Sequence, residues 1–225
     1  MVLTTIECSL AEVDFVEVLD EAHHVPIIRK PRVNVFIAKV ARNRTTMFHR
    51  HKENTVYVVI ASSRCITQLL GSNILPQEYT AGDCFAGEYR LKPIIHRVEC
   101  LDESPSDAWF VGTEILHNKQ FLSGTILQHN HYSYISNINL PGCRAYRLKL
   151  IPNETTDFHL LNFSGVIVSL ANTHLEINSG KIDQNFPLTS GTVEMGYVTW
   201  FDGPIWLEIK NIGSNNYEAI ILELA

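Results

Sequence analysis

Thr45-Thr46-Met47-Phe48-His49-Arg50-His51 returns 110 residues later as Thr155-Thr156-Asp157-Phe158-His159-Leu160-Leu161. The likeness extends to both sides. Pro31 meets Pro141, Lys39 meets Lys149, Asn43 meets Asn153, and Val56 and Val58 meet Val166 and Val168. Nine of the thirty positions from 31 to 60 are identical in this register, which reads as an internal duplication. Carried forward without a gap, the register sets His96 against Trp206; with one residue of slip it sets Trp109–Leu116 against Glu218–Leu224. The expected organisation is two tandem domains, 1–120 and 121–225.

Both copies look all-β. Arg32–Val40, Thr55–Ile60, Ile94–Val98 and Ala108–Val111 are strand-length runs of β-branched and aromatic residues, as are Tyr146–Leu150, Gly165–Leu170, Val193–Trp200, Ile205–Lys210 and Glu218–Leu224. Turn signals separate them: Leu70-Gly-Ser-Asn73, Ala81-Gly-Asp83, Asn178-Ser-Gly180 and Asp202-Gly-Pro204. Ala11–Ala22 is the one stretch with room for a short helix. Many short strands at close spacing predict a β-barrel or jelly roll in each half.

Composition narrows the function. The chain has 225 residues, 45% of them hydrophobic and 19% charged, enough for a packed core. Eighteen Lys+Arg against 24 Asp+Glu leave a net charge of −6, and no basic cluster is longer than Arg29-Lys30-Pro31-Arg32, so neither nucleic acid nor an anionic membrane is an expected partner. The apolar runs are too short to span a bilayer, and the acidic start does not resemble a secretory signal. The five cysteines, Cys8, Cys65, Cys84, Cys100 and Cys143, include no C-x-x-C pair and read as reduced, buried thiols of a cytoplasmic protein.

The chemistry is expected at the histidines. His49 and His51 sit at i and i+2, so on a strand both imidazoles point to one face and can reach one metal. His96, on a neighbouring strand, would complete a facial set of three nitrogens with positions left open. In sequence order, His49-Arg50-His51, an apolar strand, Gly82-Asp83 and Pro93-Ile94-Ile95-His96 resemble the cupin superfamily, and the duplication resembles a bicupin. The resemblance covers nearly the whole chain. It implies a double-stranded β-helix barrel per copy, with the metal in the first.

The resemblance has two departures. The usual motif carries a Glu four or five residues after the second His, where this chain has Thr55 and Val56. Glu53 is the alternative fourth ligand. In the second copy the matched positions are His159, Leu161 and Trp206, so that site is expected to be without metal, with Trp206 filling the barrel as structural bulk that braces the first copy. A homodimer face on this copy is a further expectation. Three neutral imidazoles leave the full charge on a divalent ion, which favours an anionic or chelating small-molecule substrate. The resemblance implies Fe(II) first, with Zn, Ni, Mn or Cu as alternatives, and an oxidoreductase of dioxygenase type. An isomerase or lyase on the same site, and a non-catalytic ligand binder, remain open.

Lys39, Tyr57 and Arg90 are offered as substrate contacts; Lys92 and Arg97 also flank the third ligand. Arg50 should face away from the metal and Asp83 should belong to a turn. His23 and His24 read as solvated or interface residues, His117 and His174 as surface residues, and the Thr-Thr pairs as strand surface. His129-Asn130-His131 is a second H-x-H, outside the repeat register of the first.

Overall fold

The computed structural model describes residues 14–117, 119, 121, 126–138, 140–181 and 188–225. Cys8 and residues 11–13 of the expected helix lie outside the described residues. The strands of the first half are β1 (Val16–Glu17), β2 (His24–Lys30), β3 (Val33–Val40), β4 (Arg44–Thr45), β5 (His49–His51), β6 (Asn54–Ala61), β7 (Ser63–Leu69), β8 (Ile74–Tyr79), β9 (Cys84–Gly87), β10 (Ile94–Cys100) and β11 (Ala108–Ile115). Those of the second half are β12 (Tyr132–Tyr134), β13 (Cys143–Leu150), β14 (His159–Leu161), β15 (Ser164–Ser169), β16 (Thr173–Gly180), β17 (Leu188–Val193), β18 (Val198–Phe201), β19 (Ile205–Asn211) and β20 (Tyr217–Leu224). The helical element among the described residues is a single 3-10 turn, Val18–Asp20.

The strands form four sheets. In the first half these run β1-β5-β10-β7-β8, with β4 also on β10, and β2-β3-β11-β6-β9; in the second they run β14-β19-β16-β17 and β12-β13-β20-β15-β18. The order of matching strands is the same in both halves. Each half encloses an apolar interior, built around Phe36, Val59 and Phe110 in the first and around Leu148, Leu175 and Ile221 in the second. A third core lies between the halves, where Val33, Val35, Val56, Val58 and Val111 pack with Ala145, Val166, Val168, Ile220 and Leu222. The four sheets therefore stack, and the central strands of the two middle ones, such as β6, β11 and β20, are buried on both faces. In Asn54–Ala61 the stretch Val56–Ala61 consequently reads as an unbroken apolar run rather than an alternating one.

The duplicated small residues are explained by the backbone. Asn43 and Asn153 both adopt positive φ, 59° and 68°, a conformation Asn tolerates better than most residues. The second Thr of each pair is buried rather than on the surface. Thr46 receives the Val98 N–H on its Oγ1 at 2.9 Å, and Thr156 receives that of Ile209 at 2.9 Å. Each clamps the start of one ligand-strand equivalent to its neighbour.

These contacts also correct the repeat register. The offset is 110 at Ser63 and Thr173 but 114 at their partners Tyr79 and Val193. It falls to 111 where His96 pairs with His49 and Leu207 with His159, and to 109 at Ala108 and Tyr217, the partners of Val40 and Leu150. Insertion and deletion nearly cancel, so the sequence looks ungapped. The counterpart of His96 is Leu207. Trp206 faces outward and stacks on Phe158 at 5.3 Å, so it does not fill the second interior. Val193–Trp200 is likewise two strands, broken at Gly196 with φ 80°.

Candidate metal centre

Strand pairing assembles the site. His49 and His51 are both buried on one face of β5, and antiparallel β10 places His96 directly opposite His49. The ring centroids lie 4.6 Å apart for His49 and His96, 4.9 Å for His51 and His96, and 5.0 Å for His49 and His51. One ring nitrogen from each lies within 4.8 Å of the other two. Glu53 does not join them: its Oε2 accepts a hydrogen bond from Arg90 Nε at 2.5 Å.

The second contacts of these rings fix how they point. His49 donates Nδ1–H to the Met47 carbonyl at 2.9 Å, which leaves Nε2 with its lone pair. His51 Nδ1 is 3.2 Å from the Tyr57 hydroxyl, and Tyr57 is in turn hydrogen-bonded to Tyr89. Both nitrogens of His96 are buried without a hydrogen-bond partner. Buried polar atoms are nearly always satisfied, so an imidazole orphaned at both nitrogens fits a position that a cation completes. If Tyr57 orients His51, Tyr57→Phe should weaken divalent-metal affinity by about 10–100-fold with the fold intact, as loss of an outer hydrogen bond to a ligand commonly does. Competition with a chromogenic chelator checks this.

The structure adds three residues to those expected. His24 is buried, not solvated: its Nδ1–H donates to the Val18 carbonyl at 2.8 Å and its ring meets His49 edge-on at 4.7 Å. Glu21 is 1% exposed and accepts the backbone N–H groups of His23 at 2.6 Å and Met47 at 3.2 Å. It thereby anchors the carbonyl that orients His49. Burial alone would raise its carboxyl pKa, but the hydrogen bond with the His23 ring, 3.0 Å from Oε1, and those with the two amides outweigh burial and hold it below the ordinary value. Tyr89 lies 5.0 Å from the His51 ring, seated over Gly87, where a Cβ would come within 2.2 Å of it. None of the three follows a ligand spacing, and the sequence alone reads His24 as a solvated or interface residue.

Of the offered substrate contacts, Tyr57 alone lines the cavity. Lys39 is exposed on the opposite face of β3 with its ammonium 5.0 Å over the Trp109 ring, because inward positions there belong to Phe36, Ala38 and Val40. Arg90 is tied to Glu53, and Arg97 to Gln68 and the Phe48 ring. Arg50 pairs with Glu17, away from the three nitrogens, and Asp83 sits in the turn after Gly82, as expected. The cavity beside the histidines has a volume of about 250 Å³ and no Lys, Arg, Asp or Glu in its wall; Val40, Leu69, Phe85, Ile94, Val98 and Phe110 supply much of it.

Burial, then the neighbouring imidazoles, lowers His96 to about 3 and His24 to about 4; the same causes lower His51, and burial lowers His49. All four are neutral at pH 7, the form a metal needs. In the unfolded chain they protonate near 6.5. Below that pH the unfolded state binds more protons than the folded one, so stability falls as pH drops. The metal-free protein should show its full urea midpoint above pH 6.5 and lose it progressively towards pH 4. A flat profile across that window would contradict the assignment.

The second half repeats the frame but not the donors. His51 becomes Leu161, His96 becomes Leu207 and His24 becomes Tyr132, by the strand pairings. His159 remains, with its ring 4.4 Å from His129 and 5.2 Å from Tyr132. Among the described residues, the three nitrogens of the first half are the group close enough to share an ion. His117 is half-buried, and His174 is exposed with Nδ1 3.0 Å from the Thr192 hydroxyl.

Cys65, Cys84, Cys100 and Cys143 are free and buried. Among the described residues no helix is long and apolar enough to cross a membrane.

No family model and no curated sequence matches this chain. Solved structures do. AerE from Microcystis aeruginosa superposes with a TM-score of 0.58 at 12% identity, over 90% of this chain and 97% of that one. A cupin 2 conserved barrel domain protein from Leptotrichia buccalis gives 0.54 at 12%, over 90% and 88%. An oxalate decarboxylase from Lactobacillus farciminis, in a formate complex, gives 0.61 at 12%, over 86% and 77%. With the sheet order, the repeat and the position of the three histidines, these likenesses identify the fold of the chain as that of the cupin superfamily.

Proposed function

We propose that this chain is a metal-dependent cupin enzyme in which His49, His51 and His96 hold one divalent transition ion, and that it acts as a dioxygenase-type oxidoreductase on a small anionic or chelating molecule. The carrying observation is His96, buried with both nitrogens unpartnered at the point where the other two imidazoles converge. Each pair of facing sheets is read as one jelly-roll barrel, in domains 1–120 and 121–225. Fe(II) is the favoured ion, with Zn, Ni, Mn and Cu as alternatives that the same donors accept. Bound there, the ion would supply charge to a chelating group of the substrate and a site for O₂.

The protein's own part is to orient and to exclude water. Met47 and Tyr57 fix His49 and His51, and the apolar wall leaves no side-chain counter-charge for the substrate. A fitting substrate therefore presents its anionic or chelating head to the ion and an apolar body to Leu69, Phe85 and Phe110. The wall holds no carboxylate or lysine; its groups able to carry a proton are the fourth histidine, His24, and the hydroxyls of Tyr57, Tyr79 and Tyr89. The likeness to oxalate decarboxylases supports a second reading, a lyase or isomerase on the same three histidines. The free buried thiols suit a cytoplasmic location, and a homodimer stays part of the proposal.

Protein purified anaerobically and loaded with Fe(II) should take up O₂ in the presence of an aromatic-bodied catechol, thiol-acid or 2-oxo-acid, and His96→Ala should not. Turnover without O₂ uptake would move the assignment to the lyase or isomerase. Saturable binding with no turnover would make the chain a binding protein.

A further inference from the structure

The second half has a cavity of its own that the three-histidine site does not use. It lies between the two sheets of that half and has a volume of about 360 Å³, against about 250 Å³ beside the histidines. Its origin can be followed position by position. Tyr57 is replaced by Ile167 and His96 by Leu207. The loop that carries Tyr89 between Gly87 and Ile94 shortens to Asp202-Gly203-Pro204 between Phe201 and Ile205. Each exchange removes a polar aromatic group, and the outward-facing Trp206 does not take up the space.

What remains is a particular chemical surface. Ile177, Val193, Ile205 and Ile209 make an apolar wall, and Ser169, Ser179, Tyr197, Thr199 and Tyr217 bring hydroxyls, those of Ser169 and Tyr217 hydrogen-bonded to each other. The lining has no Lys, Arg or His; its one carboxylate, Asp202, is exposed and accepts a hydrogen bond from Trp200 Nε1 at 2.8 Å. Protein interiors are close-packed, and an apolar void of about 150 Å³ is already enough to take up benzene. We infer that this cavity is a second small-molecule site, independent of the metal centre, for an uncharged and largely apolar ligand of one or two rings bearing a single hydrogen-bonding group. An anion would find no counter-charge there and would face Asp202; that carboxylate is exposed and already bonded to Trp200 Nε1, so a cation among Ile177, Ile205 and Ile209 would be buried against aliphatic side chains.

Indole serves as the probe. The full metal-loaded chain, titrated calorimetrically, should bind it at one saturable site with a Kd on the order of 0.1–1 mM. Ser179→Leu and Ile177→Phe should weaken binding at least about tenfold, whereas Leu69→Phe, in the wall of the histidine cavity, should leave it within about twofold. In methyl-labelled wild-type protein, indole protons should show nuclear Overhauser effects to Ile177 and Leu207, a readout that needs no variant to fold. Effects to Leu69 and Ile94 instead, or binding lost in Leu69→Phe alone, would place indole in the first cavity and overturn the inference. So would the lack of saturable binding up to about 5 mM indole.

Discussion

His96→Ala is expected to strip the chain of divalent metal. Wild-type protein reconstituted without oxygen should carry close to one equivalent per chain, and the variant less than about a tenth of that after desalting, measured by plasma mass spectrometry. The two donors left on β5 cannot enclose an ion on their own. His96 makes no hydrogen bond to the protein, so its loss removes a ligand without breaking a network. The metal-free variant should therefore melt within about 3 °C of metal-free wild type, which separates lost coordination from lost fold. His159→Ala should leave metal content unchanged, because Leu161 and Leu207 stand where its partners would be. Metal retained by the His96 variant, or lost from the His159 variant, would relocate the centre.

Leu161→Ala and Trp206→Ala should differ sharply. Leu161 is 0% exposed and packs in the core of the second half. Truncating such a residue costs about 2–5 kcal/mol, on the order of 5–15 °C in melting temperature at this chain length. Trp206 is half-buried on the outer face of β19 and keeps its stacking partner Phe158 near the surface. Its removal should cost about 1 kcal/mol. Calorimetry on the two variants decides between them. Equal losses would mean that the indole occupies the interior, as the ungapped register of the sequence suggests.

That register shows where the sequence could and could not be read. The i, i+2 histidines and the strand-length run Ile94–Val98 that contains His96 pointed to the three nitrogens, because a two-residue period and a neighbouring antiparallel strand leave few ways for them to face. The duplication was visible because Asn43 and Asn153 hold left-handed turns and Thr46 and Thr156 clamp backbone amides, roles that few residues fill. Trp206 was misplaced because four residues gained before β17 and three lost before β19 leave a net shift of one, and one residue reverses the face of a strand. Lys39 and Arg90 were misjudged for a related reason. Proximity in sequence to a ligand says nothing about which face of β3 is inward, or that Glu53 lies within reach of Arg90. Glu21 precedes β2 and His24 opens it, and only the fold brings this stretch beside His49.

The core between the two middle sheets has a consequence for the history of the chain. A duplicated unit is ordinarily a spare that can be lost again. Here the outer surface of each copy has become a wall of the other: Val33, Val35, Val56 and Val58 face Ala145, Val166, Val168 and Leu222. Either copy released alone would show water a continuous aliphatic sheet, an adhesive surface that invites self-association. The second copy could therefore lose its metal donors freely, yet it could not be deleted. Because the shared core lies outside it, the interior of the second half can change without disturbing that joint.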